Sequence, residues 1–221
     1  MTGTLSSEPS RSAPWIKICG ITRVEDANVA CEEGANAVGL NFVEGSPRRV
    51  AFPVAISITA GCRGLVTRVG LFVDPDADTV RHVLDRVELD LLQFHGDETP
   101  TFCRSFGVPY IKALPVRGPV PEAVFERFSD AFALLLDAWV AGRSGGTGHC
   151  FDWSLWPSRA AIAASPRLIL AGGLTPDNVH QAVLRTTPWG VDVSGGVEGS
   201  VKGVKDHERI RQFIRRVRQT A

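Results

Sequence analysis

The amino-acid sequence predicts a single-domain α/β protein built as a closed (β/α)8 barrel. Eight short apolar runs, rich in β-branched residues or leucine, recur along the chain, each followed by a loop and a helical pattern. Their starts lie 19 to 35 residues apart, room every time for a crossover helix between parallel strands. Residues able to do chemistry gather at the carboxyl ends of these runs, the face on which such barrels build their sites. At 221 residues the chain has the length of one such domain. An open, doubly wound sheet is the lesser alternative, because eight units in a domain of this size favour closure.

The first strand is Trp15–Cys19, and the helix after it starts at what reads as a capping box, Thr22 with Glu25 three residues on. Gly34 closes that helix as a C′ glycine ahead of the second strand, Ala37–Phe42. The third strand, Arg68–Val73, precedes a helix that puts Val80, Val83, Leu84 and Val87 on one face. Strand four is Leu91–His95, and Gly107 ends the helix after it; strands five and six are Tyr110–Leu114 and Phe132–Asp137. Strand seven, Arg167–Ala171, feeds Gly172-Gly173 and then Thr175-Pro176-Asp177, an N-cap followed by proline at the first helical position. Strand eight, Gly190–Ser194, leads to a last helix with Ile210, Phe213, Ile214 and Val217 on one face. Residues 1–14, rich in Ser, Thr and Pro, read as a disordered tail ahead of a barrel over 15–221.

Composition narrows the function. Twenty-four Lys and Arg balance twenty-four Asp and Glu, so no global field recruits nucleic acid or an acidic membrane, and a small molecule is the expected partner. The basic stretch Lys202, Lys205, Arg209, Arg211, Arg215, Arg216 and Arg218 reads as a solvated helix face. The five cysteines, at 19, 31, 62, 103 and 150, contain no C-x-x-C pair, which argues against a disulfide framework and a metal site and fits a reducing cytoplasm. The first residues lack the apolar core of a signal peptide, and no run approaches the ~18 apolar residues of a membrane span.

The strand ends carry the candidate site. Cys19 closes strand one, where a helix N-terminus would favour its thiolate; the alternative is a small buried hydrophobe. Arg48, in Gly45-Ser46-Pro47-Arg48, is either a surface arginine or a positioned guanidinium suited to a carboxylate. Strand four ends in Gln93, Phe94 and His95, the histidine being a catalytic base or a hydrogen-bonding wall; strand five contributes Lys112. Strand six ends in Asp137, roughly opposite Cys19, so that a carboxyl and a thiol flank a bound molecule, unless Asp137 is a helix cap or ion-pair partner. Gly172-Gly173 and Ser194-Gly195-Gly196, after strands seven and eight, free backbone N–H groups where barrels hold phosphate. Gly142–Gly148, running on to Phe151-Asp152-Trp153, reads as a mobile flap. Strand parity adds one expectation: Lys17 shares the inner face with Cys19, Asp192 shares it with Ser194, and the two charges should pair inside the barrel.

Lys17-Ile18-Cys19-Gly20-Ile21-Thr22, Gly45-Ser46-Pro47-Arg48, Val69-Gly70-Leu71-Phe72-Val73, Leu92-Gln93-Phe94-His95-Gly96, Gly145-Gly146-Thr147-Gly148, Leu170-Ala171-Gly172-Gly173-Leu174 and Gly190-Val191-Asp192-Val193-Ser194 follow one another in an order and spacing that resembles the phosphoribosylanthranilate isomerase family. The resemblance runs from about Trp15 to Val217 and implies a TIM barrel and a cofactor-free Amadori rearrangement of a phosphorylated substrate in tryptophan biosynthesis. By position it implies Cys19 as general base, Asp137 as general acid and Arg48 as the arginine for the anthranilate carboxylate. Gly172, Gly173, Ser194, Gly195 and Gly196 fall in its phosphate cradle, and Gln93, His95 and Asp192, from the ends of strands four and eight, are expected to contact the substrate. It leaves monomer and homodimer both open. One departure stands out: Ser200–Asp206 lacks the proline the family often has before the last helix and is one residue longer, on the phosphate side. The rivals are the histidine-pathway sugar isomerase, which runs the same chemistry with two aspartates, and a barrel that only binds phosphorylated ligands.

Overall fold

In the computed structural model, which describes residues 13–138, 151–158 and 167–221, eight parallel strands close into a barrel in sequence order. They are β1 (Trp15–Cys19), β2 (Ala37–Asn41), β3 (Thr67–Phe72), β4 (Leu91–Phe94), β5 (Tyr110–Val116), β6 (Ala133–Ala138), β7 (Arg167–Leu170) and β8 (Gly190–Val193). The helices among the described residues are α1 (Val24–Glu32), α2 (Phe52–Gly61), α3 (Ala77–Leu84), α4 (Pro100–Arg104), α5 (Glu122–Arg127), α6 (Val179–Thr186) and α7 (His207–Arg218). Nearly all of the expected tail, and the whole expected flap at 142–148, lie outside the described residues.

Period-two alternation gives the barrel two cores. Ala37, Val69, Leu91, Ile111, Ala133, Leu135 and Ile169 point inward and pack on one another, with Trp15, Phe132 and Trp189 packed against this cluster. The intervening residues, such as Ile16, Val38, Leu92, Leu134 and Val191, point outward and join the apolar faces of the helices, among them Val80 and Val83 of α3 and Ile210, Phe213, Ile214 and Val217 of α7. Each fully buried Leu, Ile or Phe contributes about 1.5–3 kcal/mol.

Two expected helix starts are corrected. Thr22 does not cap α1: Arg23 occupies the N-cap with no side-chain cap, and the Thr22 hydroxyl instead donates to the Gly203 carbonyl at 2.5 Å. Thr175-Pro176-Asp177 forms a turn ahead of α6, whose N-cap is Asn178. At Thr22 a tertiary contact outweighs the local helix signal, while the Thr175 hydroxyl accepts the Asp177 N–H inside the local turn.

Candidate active site

Cys19, Arg48, Gln93, His95, Asp137, Asp192, Gly172, Gly173, Ser194, Gly195 and Gly196 line one cavity of about 230 Å³ at the carboxyl ends of the strands. On the β1 side, Cys19 is buried, and its register neighbour across the ladder is Gly39, which leaves room for the Cys19 Sγ and the Lys17 Cε side by side. Lys17, wholly buried, donates to Asp192 Oδ1 at 2.8 Å, the partner directly beside it in the β1–β8 register. Burial alone would lower the Lys17 pKa, but the Asp192 carboxylate and Cys19 more than offset this and raise it. For Cys19 burial wins and pushes the thiol up, opposed by the Lys17 ammonium. The expectation of a thiolate favoured by a helix N-terminus is therefore corrected. Four residues separate Cys19 from Val24, the first residue of α1, and the dipole falls off within a turn. The local positive charge that opposes burial is Lys17.

Across the cavity, β6 delivers Asp137, also buried, whose Oδ2 lies 3.2 Å from His95 Nε2. The other ring nitrogen of His95 is hydrogen-bonded to Gln93 Nε2 at 3.3 Å. The loop carrying His95 is held from behind by Lys112, which faces out of the barrel rather than into the site as expected. Its ammonium donates to the carbonyls of Phe94 and Gly96 and pairs with Glu98 at 3.0 Å.

Both glycine groups lie on the cavity wall. Gly172 sits at φ +88°, where a Cβ would overlap the Ala138 amide and come within 2.9 Å of Asp137 Oδ1. Ser194 leads into a short 3-10 turn, Gly195–Val197, and a side chain at Gly196 would overlap the Leu174 carbonyl oxygen. The N–H groups of Gly173, Gly195 and Gly196 donate to no acceptor among the described residues, so the two loops present free donors to the cavity.

Arg48 is positioned, but by a partner that sequence reasoning missed. The Asn41 amide grips the Ser46 hydroxyl, which in turn accepts the Arg48 N–H, and the guanidinium makes a two-pronged ion pair with Glu198 at 2.6 and 2.8 Å. Lys205, assigned above to a solvated face, is instead buried, donating to Glu198 at 3.1 Å and to the Ser194 carbonyl at 3.1 Å. Burial lowers its pKa while Glu198 pulls it back up; burial would raise the Glu198 pKa, and Arg48 and Lys205 bring it below the ordinary range. Two cations against one carboxylate leave net positive charge beside the cradle amides. The longer loop before α7 is absorbed away from the cradle: Gly199 N–H bonds to Val204 O, and an antiparallel bridge joins Glu198 to Lys205. A Lys one residue before an Asp helix cap was the available signal, overridden by the charge run around it.

A thiol and a carboxyl lining one cavity with the glycine groups suit proton transfer on a small molecule. The sequence profile described as N-(5′-phosphoribosyl)anthranilate (PRA) isomerase matches residues 16–216. An N-(5′-phosphoribosyl)anthranilate isomerase of Pseudomonas fluorescens (strain Pf0-1) is 52% identical over 208 residues, covering 94% of this chain and 100% of the relative. The crystal structure of phosphoribosyl anthranilate isomerase from Thermotoga maritima superposes with a TM-score of 0.82 at 36% identity, covering 93% of this chain and 99% of that one. A phosphoribosyl anthranilate isomerase crystallised with reduced 1-(o-carboxyphenylamino)-1-deoxyribulose 5-phosphate superposes with a TM-score of 0.79 at 35% identity, with the same coverage of 93% and 99%. The profile match, the identity over nearly the full length and the barrel topology converge: this chain belongs to the N-(5′-phosphoribosyl)anthranilate isomerase family.

Proposed function

We propose that the protein converts N-(5-phosphoribosyl)anthranilate into 1-(2-carboxyphenylamino)-1-deoxyribulose 5-phosphate, the isomerisation of tryptophan biosynthesis, by general acid–base catalysis on Cys19 and Asp137. The observation that supports the reading is that β1 and β6 bring a thiol and a carboxyl to one cavity that Gly172, Gly173, Ser194, Gly195 and Gly196 line toward β7 and β8. The phosphate is held by the amides of Gly173, Gly195 and Gly196, with Lys205 supplying charge behind them. Asp137, protonated, donates to the furanose oxygen and opens the ring to an iminium; Cys19, as thiolate, takes the C2 proton to give an enolamine. Tautomerisation then adds a proton at C1 and removes one from the C2 hydroxyl. Arg48, one edge held by Glu198, offers the rest of its fork to the anthranilate carboxylate. Asp192 keeps Lys17 charged beside the thiol and lies within the cavity wall, where it meets the sugar hydroxyls. The test is the fluorescence-monitored consumption of phosphoribosylanthranilate by the purified protein. Saturable turnover is expected; binding of the substrate without turnover would contradict the reading and favour a ligand-binding barrel.

A further inference from the structure

We propose that Gln93 and His95 are positioning residues for Asp137: the Gln93 amide fixes His95 as the Nε2–H tautomer, and that N–H engages Asp137 Oδ2 so that the transferable acid proton is confined to Oδ1. The inference rests on the assignment of Asp137 as the acid. Gln93 is almost wholly buried on the inner face of β4, and its Nε2, a donor only, lies 3.3 Å from His95 Nδ1. Nδ1 is then the acceptor, and the ring proton of neutral His95 is on Nε2, 3.2 Å from Asp137 Oδ2. A carboxyl oxygen that accepts from a neutral imidazole is a poor place for the acid proton. That proton goes to the other oxygen, Oδ1, which lies on the Gly172 side of the carboxyl. The Gln93 Oε1 is buried, has no partner among the described residues, and belongs to a residue lining the cavity. A hydroxyl on a bound sugar phosphate donating there would lock the amide in this orientation and tighten the chain to Asp137, as catalytic hydrogen bonds do on ligand binding. The reverse amide orientation would put the ring proton on Nδ1 and leave Nε2 to take the Asp137 proton, disabling the acid.

The test has two readouts. Long-range 1H–15N spectra of the side-chain histidines, assigned by the signal lost in His95→Gln, should show His95 as the Nε2–H tautomer in the wild-type protein, a preference lost in Gln93→Met. In turnover, His95→Gln places an amide N–H near the Nε2 position and should keep kcat within about threefold, while His95→Asn places it near Nδ1 and should lose kcat by about tenfold or more at nearly constant KM. A wild-type ring protonated on Nδ1, or equal losses in the two variants, would overturn the proposal. The spectra need no turnover. An inactive wild-type protein with an Nε2–H ring would therefore sink the functional reading and the acid-positioning role, while an active one with an Nδ1–H ring sinks this inference alone.

Discussion

Lys17, Asp192 and Cys19 form a buried group in which each charge depends on the others. With the thiol pushed up by burial, Cys19 keeps its proton through the neutral range in the free enzyme. On the proposed assignment of Cys19 as base, the alkaline limb of the kcat/KM profile belongs to its raised thiol. Lys17→Met, which removes the ammonium that lowers this pKa, should move the limb to higher pH; a limb that stays in place, or moves down, would refute the assignment. Asp192→Asn leaves the Lys17 ammonium buried without its counter-charge and should cost about 3–5 kcal/mol, measured by denaturant unfolding. A loss below about 1 kcal/mol would mean that the pair is not what keeps Lys17 charged in the interior. This pair was legible in the sequence because strand parity and barrel closure fix which side chains meet. Glu198 and Lys205 were not legible, because they meet through an irregular loop that has no period to read.

At the scale of elements, the cradle is two loops locked together by close approach rather than by side chains. Gly196→Ala would drive a methyl group into the Leu174 carbonyl and part the loops after β7 and β8. Inorganic phosphate should raise the Tm of the wild-type protein and raise that of Gly196→Ala markedly less; equal shifts would place the anion elsewhere. Glu198 ties the loop before α7 to the loop carrying Arg48, so Glu198→Gln should raise KM several-fold with a smaller change in kcat, through a misplaced guanidinium. Strand ends and glycine pairs were readable because they follow from backbone chemistry. Helix starts were less so: Thr22 carries a capping signal, yet it is the packing of the Gly203 loop that claims its hydroxyl.

At the scale of the molecule, closure of the barrel turns eight separate strand ends into one site. β1 and β6 contact each other nowhere in the ladder, which runs from β1 through β8 and back, yet both deliver side chains to the same cavity. Two cores hold that ring, one inside the strands and one beneath the helices, so Cys19 and Asp137 stand on strands packed on both faces. The sequence carried the order of strands and the face each residue occupies. It did not carry the outward turn of Lys112, whose partner Glu98 sits in a loop and braces His95 from behind. The measurement that bears most directly on the account is steady-state turnover of phosphoribosylanthranilate by folded Cys19→Ala and Asp137→Asn. Each should lose roughly 10²-fold or more in kcat with KM little changed, the range expected of a positioned base or acid. Near-normal kcat in either variant would contradict it.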